Sequence, residues 1–212
     1  MSRRHRKPKK PRTTFAVVAD GETEMWYLQM LKRNEPAIHV DIRPRISSKK
    51  KLEDQCDYVR NLAEDYTKVF WMVDLDAIFE DSRQVPKGKE TPLEKFIKYT
   101  REFETNKTVE VIVNNPCLEF WFLLHFEKTS KYFSRCEKTI SQLKNHLPDY
   151  EKSQKFFTKQ DNDIYLRLKD KLPDALKNST VLGKFNSDDP ERAMCEMEIF
   201  FNSLVQQRGK VL

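Results

Sequence analysis

Phe15-Ala16-Val17-Val18-Ala19-Asp20-Gly21-Glu22-Thr23-Glu24 joins an uninterrupted apolar run to an acidic, polar stretch with a single glycine at the junction. The run has the length of a strand buried on both faces, and residues 22–33 read as a helix. An open α/β sheet builds its ligand site outside the carboxyl ends of its strands, where such junctions lie. A second one follows at Val69-Phe70-Trp71-Met72-Val73, which leads into Asp74-Leu75-Asp76. Two residues apart on an extended chain, Asp74 and Asp76 would project from the same side. Two acidic ends on neighbouring parallel strands would make a site for a hard divalent cation, Mg2+ or Mn2+.

The spacing of apolar residues extends this pattern. Ile38, Val40 and Ile42 alternate as one face of a strand. Leu52, Cys56, Val59, Ala63 and Tyr66 share one face of a helix over about 50–67. Thr91-Pro92 supplies an N-cap followed by proline at the first helical position, with Leu93, Phe96, Ile97, Thr100 and Phe103 as the buried face behind it. Residues 108–113 form a fourth strand. This βαβαβαβ order predicts an α/β fold with a mainly parallel four-stranded sheet flanked by helices on both faces. From residue 127 onward the periodicity is helical only, at Ile140, Leu143 and Leu147, at Ile164, Leu168 and Leu172, and at Ala193, Met194, Met197, Phe201 and Leu204. A polar loop over 78–90, carrying Lys87-Gly88-Lys89, is expected beside Asp76 as a lip over the site.

Composition bounds the function classes. The chain has 212 residues, of which 34% are charged and 11% aromatic, enough for one well-buried core. Seven lysines and arginines and no acid fall within residues 1–12; subtracting these seven from the net +6 leaves −1 for the other 200 residues. The basic charge is therefore a tail, interrupted by Pro8 and Pro11 and expected to be disordered, that can follow phosphate oxygens or serve as a solubilising extension. Cys56, Cys117, Cys136 and Cys195 are far apart, with no CxxC pair, and read as reduced thiols on apolar helix positions. Without an apolar leader or a run of ~18–20 apolar residues, a cytoplasmic protein with no membrane span is expected. No GxxxxGK[ST] or GxGxxG motif occurs, so nucleotide hydrolysis by a P-loop is set aside.

Asn115-Pro116-Cys117-Leu118-Glu119-Phe120-Trp121-Phe122-Leu123-Leu124-His125-Phe126 is the second unusual segment. Asn115 reads as an N-cap and Pro116 as the first helical residue. The helix is apolar all round, so Glu119 and His125 need partners. Glu119 holds a metal, a water or a basic side chain, and His125 reads as a structural histidine. About 240° apart around the helix, the two do not form a dyad. Gly21 lets the chain turn or approach a ligand, or marks a plain strand-to-helix turn; Glu22 complements the helix dipole, whereas Thr23 and Glu24 stay open to a role in the site. Tyr150 and Lys152, with Lys155 and Lys159, offer an aromatic and cations for a phosphodiester, or a solvated flank.

Asp20-Gly21-Glu22-Thr23-Glu24, Asp74-x-Asp76, the Asn115–Phe126 segment and Tyr150-x-Lys152 together resemble the ordered motifs of RloB-like proteins, over roughly residues 14–152. The resemblance implies a Toprim-like (Rossmann-like) core, here 13–126, behind the basic tail 1–12 and before a helical extension, 127–212, packed on it. It implies a Mg2+-dependent nuclease or phosphodiesterase in anti-phage defence, acting on DNA or RNA, tRNA included, beside an AAA-type ATPase encoded nearby. Asp20 falls where a Toprim domain has the glutamate of its Glu-Gly motif, and Asp74 and Asp76 fall on the metal pair. Asp20, Glu24 and Glu119 are then the candidate catalytic carboxylates, and Gly21, Thr23, Tyr150 and Lys152 the candidate substrate contacts. The competing reading is a non-catalytic module that senses nucleic acid or a phage component and signals to the ATPase.

Overall fold

The structure is a computed structural model that describes residues 13–19, 21–36, 41–46 and 51–208. Asp20, the tail 1–12, Ile38 and Val40 lie outside the described residues.

Four parallel strands, β1 (Thr14–Ala19), β2 (Asp41–Ile46), β3 (Lys68–Asp74) and β4 (Val109–Asn115), lie in the order β2-β1-β3-β4. Connecting helices are α1 (Glu22–Asn34), α2 (Leu52–Asp65), α3 (Leu75–Arg83) and α4 (Pro92–Phe103). After β4 come α5 (Leu118–Leu124), α6 (Cys136–Leu143), α7 (Gln154–Phe157), α8 (Ile164–Leu168), α9 (Leu172–Leu182) and α10 (Met197–Arg208). A two-residue strand, β5 (Met194–Cys195), pairs antiparallel with Asn114 and Asn115 of β4. The expectation of helices alone after residue 127 is thus corrected. Two residues are too few to leave a period-2 signature in sequence.

The sheet separates two cores, and the strand alternation decides which side chain enters which. Ala16, Val18, Val69, Trp71 and Val73 point toward α2, α3 and α4, packing on Cys56, Val59, Phe79, Phe96 and Phe103. Phe15, Val17, Phe70, Met72 and Ile112 point the other way, toward α1, α5 and the helices that follow. A strand apolar on both faces follows from being covered on both. The segment beyond residue 127 supplies much of the second cover, with Leu143, Phe157, Leu168, Phe200 and Phe201 buried beside Tyr27 and Trp121. Tryptophans inside such layers need acceptors: Trp71 Nε1 donates to Gln55 Oε1 at 3.2 Å and Trp121 Nε1 to Tyr27 Oη at 3.1 Å.

Local signals account for several boundaries. Thr91 Oγ1 accepts from the Glu94 amide at 3.2 Å, and Glu94 Oε2 accepts from the Thr91 amide at 2.7 Å, a reciprocal cap ahead of Pro92. The segment 78–90 is not all loop, since α3 runs to Arg83. Its remainder lines a hollow with Glu94 and Lys98, so Lys87-Gly88-Lys89 sits beside the first turns of α4. Gly88 has φ +87° there, a conformation that favours glycine. Asn115 is not a helix cap. The Asn115–Pro116 peptide is cis, α5 starts at Leu118 behind Cys117, and Asn115 Nδ2 donates to the carbonyls of Pro190 and Arg192 at 2.9 and 2.7 Å.

Candidate functional site

The strand order reverses between β1 and β3: the chain leaves β1 for β2 on one side and returns to β3 on the other. That is where an open α/β sheet leaves a crevice beyond its carboxyl ends. Asp74 ends β3 and is the residue immediately before α3, with no intervening loop. Asp76 is therefore the second residue of a helix, and the expectation of two carboxylates on one side of an extended chain is corrected. Both carboxylates still lie within the field of the Lys152 ammonium.

Each carboxylate has its own environment. Asp74 Oδ1 accepts from Asn114 Nδ2 at 3.3 Å and Oδ2 from the Leu118 amide at 3.2 Å. Asp76 Oδ1 accepts from the Ala77 amide at 2.8 Å, while its own amide donates to the Pro116 carbonyl at 3.1 Å. Burial pushes the Asp76 carboxyl above the ordinary aspartate value, against the pull of the Ala77 amide, the Lys152 charge and the Cys136 amide. Glu24, buried in the first turn of α1, accepts from the Gly21 amide through Oε2 at 3.1 Å.

Gly21 itself is extended, at φ −148°, and a Cβ there would meet Glu24 Oε2 at 3.4 Å, an ordinary contact. Its backbone is therefore one that any residue adopts. Thr23 is half-buried beside it.

Glu119 is the most enclosed member, with 0% of its surface exposed. Its Oε1 accepts from Tyr150 Oη at 2.6 Å and from Lys152 Nζ at 2.9 Å. Of the partners expected for it, the structure supplies a basic side chain and a phenol. Lys152 is 45% exposed, so its outer side remains open to solvent. Burial lowers the ammonium's pKa, but the charge and hydrogen bond of Glu119, with Asp74 and Glu24 behind them, outweigh it and the net direction is up. Tyr150 moves the same way, through burial first and then the Glu119 charge. The Tyr150 ring is 2% exposed, so it braces Glu119 and presents no open face for stacking. Lys155 and Lys159 are exposed.

The spacing of the cysteines left one feature unseen: Cys117 and Cys136 form a disulfide across 19 residues. This corrects the expectation of four reduced thiols for that pair. Cys56 and Cys195 are free and buried, Cys195 in β5 rather than on a helix. Cys136 Sγ lies 3.0 Å from Glu119 Oε2 and 3.5 Å from Lys152 Nζ. With no thiol proton left, the first is a van der Waals contact and the second a weak donation to sulfur. No CxxC or similar spacing announces this pair.

His125 stands apart from this centre. Its Nδ1 lies 2.9 Å from the Trp121 carbonyl, an acceptor, so that nitrogen carries the proton, and the buried Nε2 has no partner. Burial lowers its pKa to about 4. A folded-state value below the ordinary 6.5 means stability that is present above about 6.5 and lost as pH falls toward about 4, worth about 3 kcal/mol. In His125→Phe, the acid limb of the stability profile is expected to flatten across that window. Denaturant titrations from pH 7 to 4 check this; an unchanged slope would assign the acid sensitivity to other groups.

Among the described residues no helix is long and apolar enough to cross a membrane. Comparison with curated proteins and with solved structures found no match. A family model described as RloB-like protein matches residues 15–204, extending past the motifs at Tyr150 and Lys152 through the helices that close the second core, and the chain belongs to the RloB-like family.

Proposed function

We propose that this protein is a Mg2+- or Mn2+-dependent phosphodiesterase of Toprim-like type that cleaves DNA or RNA in anti-phage defence, working with an AAA-type ATPase. The observation that carries the reading is the gathering of Glu24, Asp74, Asp76 and Glu119 around Lys152 at the topological switch point. The donor set fits the ion. Asp74 and Asp76 offer hard oxygen ligands, and burial without full compensation makes Asp76 a carboxylate that a dication would satisfy. When bound, the ion supplies Lewis-acid stabilisation of charge on the phosphoryl oxygens.

The chain's own groups do the rest. Asp20, or Glu24 in its place, takes the proton of the attacking water. Lys152 turns its open side to the substrate phosphate while Glu119 and Tyr150 hold its position. Residues 1–12 add seven positive charges along the nucleic acid.

The test is incubation of the purified protein with single- and double-stranded DNA, RNA and tRNA, with Mg2+ or Mn2+ and with a chelator. Asp20→Asn is expected to lower cleavage about 10²-fold or more, and Asp20→Glu to retain it. Full activity in Asp20→Asn beside an inactive Glu24→Gln would move the proton transfer to Glu24. A second reading, a non-catalytic sensor of nucleic acid, is favoured by the occupation of the centre by the Lys152 cation. Binding without cleavage, insensitive to chelator, would select it.

A further inference from the structure

We infer that Cys117 and Cys136 form a thiol–disulfide exchange site that switches the acidic centre between two states, with a dithiol reductant as its partner. The inference goes beyond the proposed phosphodiester chemistry and does not require it.

Its basis is where the two cysteines stand in the chain. Cys117 immediately precedes Leu118, whose amide holds Asp74 Oδ2 at 3.2 Å. Cys136 itself presents its backbone amide to the Asp76 carboxyl. The crosslink therefore couples the two backbone segments that hold the two aspartates, one entering α5 and the other opening α6. Glu119 and Lys152 flank the same sulfur. A staple needed only for stability has no reason to stand against the Glu119 and Lys152 side chains of the centre. The apolar interiors around Cys56 and Cys195 would serve that purpose, and those thiols are unpaired.

The geometry also orders the exchange. Cys136 is 6% exposed and Cys117 1%, so an incoming thiolate attacks Cys136 Sγ. The Cys117–Cys136 bond breaks, a bond from the reductant to Cys136 forms, and Cys117 leaves with the electron pair and takes a proton. The second thiol of the reductant then attacks its own sulfur in the mixed disulfide, releasing Cys136 as a thiolate beside the Lys152 ammonium. Two electrons pass to the protein, Cys117 keeps one of the dithiol's two protons, the other goes to solvent while Cys136 stays a thiolate, and the dithiol becomes a disulfide. With the crosslink open, Leu118 and Cys136 are free to move separately and their hold on Asp74 and Asp76 slackens.

Alkylation followed by peptide mass mapping tests the exchange. Protein treated with oxidised glutathione and then denatured is expected to show free thiols at Cys56 and Cys195 only; after dithiothreitol on the native protein, Cys117 and Cys136 should label as well. Four free thiols after oxidation, or a crosslink that survives dithiothreitol in the native state, would each overturn the inference. Hydrogen exchange tests the coupling. The Leu118 and Cys136 amides are expected to exchange about tenfold faster or more in the reduced protein, and in Cys117→Ser/Cys136→Ser whatever the redox conditions, as local opening of these two segments becomes easier. Equal rates in both states would leave a crosslink without a switch. Neither readout involves cleavage or metal, so an inactive protein that passes both tests counts against the phosphodiesterase alone.

Discussion

With Lys152 replaced by methionine, the protein is expected to lose about 2–3 kcal/mol of stability, less than the ~3–5 of a fully buried pair because Lys152 is 45% exposed. Glu119 is fully enclosed, and its Oε1 is shared by the Lys152 ammonium at 2.9 Å and the Tyr150 hydroxyl at 2.6 Å. Without the ammonium, the enclosed carboxylate keeps the Tyr150 hydroxyl but loses its cation. Glu119→Gln in the same chain removes the stranded charge and keeps an acceptor for Tyr150, so the double variant should recover most of the loss. Denaturant midpoints of the parent, the two single variants and the double variant form the cycle that measures the coupling. If Lys152→Met stays within about 1 kcal/mol of the parent, as an exposed pair would, Glu119 is compensated by some other group.

The two aspartates, alike in sequence, should part company on substitution. Asp76→Asn is expected to reduce metal-dependent cleavage to background while the melting temperature stays level or rises. The folded chain raises the Asp76 pKa through burial, so its contribution is favourable below the unfolded-state value and is lost as pH rises through the folded-state one. At pH 7 the parent carries that cost, and asparagine does not. Asp74→Asn should lose cleavage and stability together. Its two oxygens face two donors, Asn114 Nδ2 and the Leu118 amide; an amide offers one oxygen and turns its NH2 against the other donor, at about 1–3 kcal/mol. Cleavage assays with paired thermal melts decide it. Full cleavage in both variants would remove the metal site, and an unchanged melt in Asp74→Asn would remove its structural half.

Features with a local cause could be read from the chain alone. The apolar runs at 15–19 and 69–73 are strands because both faces are covered, and Thr91-Pro92 caps a helix through a bond to its own Glu94. What resisted reading depends on contacts distant in sequence. Asp76 looks like a strand residue by spacing, yet α3 begins directly at Leu75 and its amide meets the Pro116 carbonyl. Asn115 carries every local mark of a helix cap, but its side chain is claimed by Pro190 and Arg192. Glu119 was expected to need a partner, and Lys152 was proposed for a phosphate; that each is the other's partner follows only once α6 has brought residues 150–152 back across α5. The disulfide is of the same kind, set by the meeting of the starts of α5 and α6 and by no spacing within either.

The short antiparallel strand has a consequence for how the protein is made. The inner end of β4 is closed by Met194 and Cys195, and the Val113 amide donates to Glu196 Oε2, 83 residues further along the chain, at 2.9 Å. Asn114, which holds Asp74, is in turn touched by the Cys195 thiol at 3.4 Å. A chain growing from its amino end can form the first parallel pairs and the α2–α4 layer early, but the floor beneath Asp74 waits for residues 194–196 to leave the ribosome. Translation thus acts as a timer: the hold on Asp74 is complete only once Cys195, 81 residues beyond Asn114, has been made.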